Sequence, residues 1–348
     1  MSSYLDRIGA GLILSKPEVF GFDYVPDVLV GREDLQVQLA SLFSTIDHPE
    51  GTGRAIVTGP VGSGKTALVK RFCEDVIRHV ADKRNIKYVH VNCRNASTSS
   101  RVMQKIVQAL DPGHPDRGLG VGELLTSLRR MLQGDNAHLI VVLDEVDNLV
   151  DKGGDDLLYA LTSLNTLLGD GRCSIIGISN DLHFTHHLDP RVSSRLSQED
   201  IVFHPYVATE IQNILSERAS MGIKEGVLDE GVIRLCSALA AQEHGDARRA
   251  LDLLRISVQK AEQRSQGSVD TKHVRLAQSQ LEYDQVTPVI KTLPLHQKLV
   301  LFSICLNEEN GLRNISTGEV YRTYAEACSK IGTEPLTTRR VSSLRSEE

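Results

Sequence analysis

Gly59, Pro60, Val61, Gly62, Ser63, Gly64, Lys65 and Thr66 follow the spacing GxxxxGK[ST], with Ala67 directly behind. The pattern carries chemistry only where it leaves a strand and opens a helix. Here an apolar run precedes it and a helical run follows. Glycines at these positions let successive backbone N–H groups face one point and form an anion nest. The start of the helix adds positive partial charge to that nest. Lys65 then reaches the β- and γ-phosphates and the Thr66 hydroxyl ligates Mg2+, so the ligand is a nucleoside tri- or diphosphate, ATP or ADP.

A second carrier lies about eighty residues on, where the apolar run Leu139–Leu143 ends in Asp144 and Glu145. Asp144 is placed to hold Mg2+ through its water shell, and Glu145 to orient and activate an attacking water. Strands often exit into acidic turns, and the pair gains its meaning from the P-loop before it. The next apolar run, Ser174–Ile178, is followed by Ser179 and Asn180. An amide there can bond both a γ-phosphate and a lytic water, although asparagine is also an ordinary turn residue. Arginines come later, at Arg191 and Arg195, then at Arg248 and Arg249. Single arginines usually sit on solvated faces, but these two clusters frame the site in sequence order.

The elements that must position these residues follow from periodicity. Buried parallel strands are expected at Ala55–Thr58, Tyr88–Val91, Leu139–Leu143 and Ser174–Ile178, with a shorter one at Ile201–Phe203. Helical stretches between them, at Thr66–Val80, Arg101–Leu110, Gly122–Leu132 and Asp155–Leu168, imply an α/β sheet covered on both faces. After Pro205 strand signals stop. Helices are expected at Thr209–Ser220, Asp229–Glu243, Asp246–Arg264 and Thr271–Leu281, then at Leu295–Leu306, Thr317–Ile331 and Thr337–Leu344. Three pieces result: a nucleotide-binding base over residues 1–205, a helical domain over 206–285, and a smaller helical piece over 286–348.

Composition narrows the class. The chain has 348 residues, enough for two or three units. Apolar residues at 41% support real cores, and charged residues at 24% argue against wholesale disorder. Aromatics at 4% and the absence of Trp argue against an aromatic platform for sugars. No run approaches a membrane span. Met1–Ala10 contains Asp6 and Arg7 and lacks an apolar core, so no secretory signal is expected. The cysteines Cys73, Cys93, Cys173, Cys236, Cys305 and Cys328 form no CxxC pair and read as thiols of a reduced compartment. Together these features predict a soluble intracellular protein. The net charge is −6 overall but +1 from Val286 onward, a mildly basic end on an acidic body.

The P-loop, Asp144-Glu145-Val146-Asp147, Asn180, Ser194-Arg195-Leu196 and the segment Gly245–Leu251 resemble the AAA+ ATPases. The fuller text resembles the archaeal replication initiators, the Orc/Cdc-type origin-recognition proteins. Val30-Gly31-Arg32-Glu33 is similar to the motif ahead of that family's first strand. Val89–Cys93, followed by Ser100–Leu110, resembles its helical insertion, and Ile201–Tyr206 and Gly245–Arg248 fit as well. The resemblance runs from about Lys16 to Arg345. It implies an α/β AAA+ P-loop domain with a parallel five-stranded sheet, an α-helical lid and a winged-helix-like C-terminal domain. Lys65 and Thr66 take the Walker A roles, Asp144 and Glu145 the Walker B roles, and Asn180 that of the first sensor. Arg248 becomes the second sensor. Arg195 resembles an arginine finger offered to a neighbour's nucleotide, with Arg191 as the alternative. Adenine would lie between Val28–Val30 and Tyr206.

For DNA the resemblance implies a winged helix-turn-helix. Leu295–Phe302 opens its first helix, Thr317–Ile331 is the second, and Arg339 and Arg340 stand where the recognition helix begins. The sequence reaches Glu348 with no β-hairpin wing, so a partial domain is expected. Arg94, Arg101 and Lys105 of the insertion Arg94–Leu110 offer a second phosphate contact or a plain solvated edge. The implied function is an ATP-dependent replication initiator that binds origin duplex DNA and helps recruit the replicative helicase. ATP binding and slow hydrolysis would switch its conformation, self-association would supply the arginine finger, and no membrane is involved. Its place would be the cytoplasm, on the nucleoid. The alternatives are another AAA+ motor of clamp-loader or transposition type, and a nucleotide-switch ATPase that contacts protein.

Overall fold

Strands buried on both faces need helices above and below them, and the chain supplies these in alternation. The computed structural model describes residues 13–169, 171–196, 200–264 and 266–347. The segment Met1–Ala10, read above for targeting, lies outside the described residues. In chain order come α1 (Glu33–Leu42), β1 (Arg54–Thr58), α2 (Lys65–Val80), β2 (Ile86–Asn92), α3 (Ser99–Leu110) and α4 (Val121–Gly134). Then follow β3 (His138–Asp144), α5 (Asp147–Gly153), α6 (Asp156–Ser163), β4 (Arg172–Ser179), α7 (Pro190–Leu196) and β5 (Asp200–Val202). All strand pairs are parallel, in the order β2-β3-β4-β1-β5.

Register decides where the site forms. Thr58 pairs with Ser179, Asp144 with Ile178, and Asn92 with Asp144. The carboxyl ends of β1, β4, β3 and β2 therefore finish side by side along one edge. Loops leaving that edge are where an open α/β sheet places its ligands. The core on one face contains Leu39, Phe43, Leu68, Val69 and Phe72 from α1, α2 and the link to β1. The other face packs Val102, Ile106, Leu128 and Leu161 from α3, α4 and α6. Each fully buried Leu or Ile stabilises by roughly 1.5–3 kcal/mol, so α2 is held firmly behind the P-loop.

The helix expected over Asp155–Leu168 ends earlier, at Ser163, and passes into a tight turn over Leu164–Thr166. Asn165 explains the break: its side chain bonds both the N–H and the C=O of Cys173 on β4. Competition of this kind draws asparagine out of helices.

The lid is α8 (Ala208–Gly222), α9 (Glu230–Gln242) and α10 (Ala247–Gln263). Residues ahead of α1, expected in the base, bond to it. Lys224 N–H donates to Ile13 O at 3.0 Å, Ser15 N–H to Gly222 O at 2.8 Å, and Ile13 N–H to Glu262 Oε1 at 2.9 Å. Base and lid fall in one compact unit, Met1–Val274, with Arg275–Glu348 as the other.

Helix α11 (Thr271–Thr292) continues past the expected stop at Leu281 and carries Pro288 inside it. Side-chain bonds Gln278–Glu282 and Gln280–Asp284, four residues apart, support this solvated stretch. The second unit adds α12 (Leu295–Glu309), α13 (Thr317–Ile331) and α14 (Thr338–Glu347). Its small core gathers Val300, Val320, Tyr324, Cys328 and Val341. Gly332, at φ +73, closes α13, and Thr333 N–H reaches back to Cys328 O. The buried Tyr324 hydroxyl accepts from Leu336 N–H and bonds His296, tying the turn before α14 to α12. No helix among the described residues is long and apolar enough to cross a membrane. The described cysteines are free, and Cys305 alone among them is exposed.

Candidate functional site

The P-loop leaves β1 through Gly59 at φ +145 and passes Gly62 at +75 and Gly64 at +94, a backbone that only glycine adopts freely. Gly62 has a second constraint, since a Cβ there would meet Asp246 Oδ1 at 1.8 Å. Lys65 Nζ donates to Gly59 O and Pro60 O, both at 2.7 Å, and to Asn180 Oδ1 at 3.0 Å. Lys65 as a whole is 6% exposed. Burial pulls its ammonium down to about 8, Asp144 opposes that shift, and Arg248 adds to it. A phosphate would replace these weak carbonyl partners with a full negative charge.

Thr66 Oγ1 donates to Asp144 Oδ2 at 2.9 Å. The same oxygen lies 3.1 Å from His90 Nε2. Burial works to raise the Asp144 carboxyl, but the hydrogen bonds from His90, Thr66 and the Glu145 N–H outweigh it and hold the group below its ordinary value. An ionised carboxylate beside a threonine hydroxyl is a hard-oxygen donor set that suits hydrated Mg2+. Glu145 stands at φ +53, an uncommon backbone for a glutamate. Its N–H donates to Asp144 Oδ1 at 3.0 Å. Ser179 Oγ donates to Asp147 Oδ1 at 3.0 Å and fixes the turn that presents Asn180.

The lid closes on this edge directly. Asp246 caps α10 by accepting from the N–H groups of Arg248 and Arg249. Ala247 N–H, in the first turn of α10, reaches Gly62 O at 3.3 Å. Arg248 is exposed and faces the P-loop across two cavities. The larger, about 610 Å³, is lined by Val28, Leu29, Val30, Thr66, Ala67 and Tyr206 from the base, and by Ile214, Arg218 and Leu251 from the lid. The smaller, about 130 Å³, holds Val61 to Thr66, Asp144, Glu145 and Asn180.

The P-loop residues, Asp144, Glu145, Asn180 and Arg248 thus converge. Val28 and Val30 border the larger cavity. Tyr206 borders it too, but differently from a base platform. Its ring is covered by the Arg32 guanidinium at 3.8 Å, and its hydroxyl backs Gly64. Arg32 itself is 5% exposed and donates to Ser63 O, Gly31 O and His204 O. It is a buried clasp holding the P-loop to the segment before the lid, a role that its sequence position did not reveal. His90 was also missed, because its contact with Asp144 depends on strand pairing. Ile214 and Leu251 gave only a helical apolar signal.

Arg195 does not join its own P-loop. Its guanidinium lies 4.7 Å over the Tyr159 ring and donates to Ser163 Oγ, and its carbonyl accepts from Arg54 at the opposite end of β1. Arg191 is exposed and pairs with Asp189, whose carboxyl it holds down to about 2.

Arg101 and Lys105 stand exposed on the outer face of α3, four residues apart, while Val102, Met103 and Ile106 are buried. Arg339 and Arg340 are exposed in the first turn of α14, whose Val341 and Leu344 face the core. Arg94 separates from Arg101 and Lys105. It lines the smaller cavity with the P-loop; the expectation from the sequence is a second phosphate contact on DNA or a plain solvated edge.

Residues 48–180 match a family model described as an AAA domain. Residues 212–279 match one described as the Cdc6 AAA+ ATPase-type lid domain, and residues 288–347 one described as the CDC6 C-terminal winged helix domain. An ORC1-type DNA replication protein of Thermococcus onnurineus is 42% identical over 356 residues, covering 99% of this chain and 86% of the relative. An ORC1-type DNA replication protein 1 of Methanosarcina mazei is 41% identical over 339 residues, covering 96% of this chain and 81% of that one. The fold is similar to the Aeropyrum pernix ORC1 protein solved in complex with DNA, with a TM-score of 0.75 and 41% identity over 97% of this chain and 87% of the other.

Proposed function

The chain belongs to the Orc1/Cdc6-type family of AAA+ DNA replication proteins, and on that premise we propose that it binds duplex DNA at replication origins and helps recruit the replicative helicase, with ATP as the latch between base and lid. The observation that carries the latch is the bond from Ala247 N–H to Gly62 O beside Arg248. A ligand in the P-loop is thereby gripped by both domains at once.

Lys65 binds the β/γ-phosphates and the Gly62–Thr66 backbone cradles them. Thr66 and Asp144 would hold Mg2+, which would neutralise part of the phosphate charge. Glu145 takes the proton of the attacking water, Asn180 orients that water, and Arg248 reaches the γ-phosphate from the lid. Arg195, turned away from its own P-loop, serves the nucleotide of a neighbouring copy, with Arg191 as the other candidate. Hydrolysis by a single copy is then slow. The protein acts on the cytoplasmic nucleoid.

DNA is held through Arg339 and Arg340 on α14 and through Arg101 and Lys105 on α3. The test is the dependence of duplex-DNA affinity on salt. Each phosphate contact contributes about 0.9 to the slope of log affinity against log salt. Arg339→Ala with Arg340→Ala should flatten that slope by about 1.8, and Arg101→Ala with Lys105→Ala by a similar amount. An unchanged slope in either double variant removes that pair from the DNA-binding surface.

A further inference from the structure

Three cations surround the smaller cavity, and the role of one is unassigned. Lys65 is engaged by the carbonyls of Gly59 and Pro60 and by Asn180, and Arg248 belongs to the lid. The third is Arg94. Strand pairing puts it there. The β2–β3 ladder continues one residue past the strand, with Cys93 N–H donating to Asp144 O at 2.7 Å. Arg94 is therefore one residue beyond a backbone bond to the metal-holding aspartate. It is exposed, and no ion pair or side-chain hydrogen bond engages its guanidinium among the described residues.

We propose that Arg94 is a γ-phosphate ligand that acts within its own chain and lets the site distinguish a nucleoside triphosphate from a diphosphate. The inference rests on the reading that a nucleotide occupies this cleft. Arg94 and Asn180 border the smaller cavity and are absent from the wall of the larger one, which takes the base. On this assignment a diphosphate stays on the P-loop and does not engage Arg94. A triphosphate brings three further oxygens to the free guanidinium, which can grip two of them at once. The positive charge of Arg94 also offsets Asp144 and Glu145, whose charges would otherwise repel the third phosphate. Arg101 and Lys105, outward on α3, take no part.

The test is calorimetric titration of the full chain with ATP and with ADP, Mg2+ present in both, without turnover as a readout. Arg94→Ala should weaken ATP about 10- to 100-fold and leave ADP within about twofold. Arg94→Lys should recover part of the ATP affinity, because it restores charge without the two-pronged geometry. Duplex-DNA affinity in the ADP state should not change. Equal loss of ATP and ADP, no loss of either, or a flattened DNA salt slope in the ADP state would each overturn the assignment. Lys65→Ala separates the two levels. If it destroys binding of both nucleotides while Arg94→Ala leaves their ratio intact, only the role of Arg94 fails. If it leaves both affinities intact, the nucleotide reading itself fails.

Discussion

Lys65→Ala should cost about 100- to 1,000-fold in affinity for both ATP and ADP while the protein stays folded. The side chain is nearly sealed, and its donors point at two P-loop carbonyls and at Asn180. Burial holds the ammonium down to about 8, so its charge is kept at a cost and is poised to gain a strong anionic partner. Two charge-assisted hydrogen bonds to phosphate contribute roughly 3–4 kcal/mol together, which is about 100- to 1,000-fold. The substitution leaves Leu68, Val69 and Phe72, the anchors of α2, in the core. Calorimetry measures the affinities and circular dichroism the melting point. Parental affinity in the variant would mean that the P-loop is not the phosphate site.

The second large effect is on hydrolysis. Glu145→Gln should leave ATP affinity within about threefold and lower single-turnover hydrolysis by about 100-fold or more. Glutamine keeps the shape and adopts the same left-handed backbone no less readily, and the N–H bond to Asp144 Oδ1 remains. What is lost is the proton acceptor, while Asp144 and Thr66 keep their pairing. Arg195→Ala gives the companion result. It spares ATP binding and lowers only the part of hydrolysis that rises with self-association, since the side chain sits on Tyr159 and Ser163. Parental hydrolysis in Glu145→Gln would exclude Glu145 as the base. Loss of ATP binding in isolated Arg195→Ala would place that arginine in its own pocket.

Much of this site could be read from the chain because its signals are local. The P-loop is eight consecutive residues, and the run Leu139–Leu143 that delivers Asp144 and Glu145 is uninterrupted and apolar. The expected strand over Leu139–Leu143 differs from β3 by one residue at each end. What the sequence hid depends on pairing between distant segments. Arg94 looked like part of a basic edge with Arg101 and Lys105. The register of Asn92 against Asp144 is what swings it to the phosphate side. Arg32 reads as a polar residue before a helix, yet it is buried by bonds reaching 172 residues away, to His204. Tyr206 loses its ring face to that same arginine. Helix ends were blurred where side chains compete with the backbone, as at Asn165, or where polar residues sustain a solvated helix, as at Gln278–Asp284. Periodicity weighs none of these, since each is a specific bond.

The claim at the centre of this account is that the nucleotide governs how the protein holds duplex DNA. Its direct measurement is duplex-DNA affinity across a salt series, with Glu145→Gln protein saturated by ATP and Mg2+ or by ADP and Mg2+. The account predicts a steep linear fall of log affinity with log salt, and affinities that differ between the two nucleotides at every salt concentration. Affinity that is indifferent to salt and identical in the two nucleotide states would contradict it.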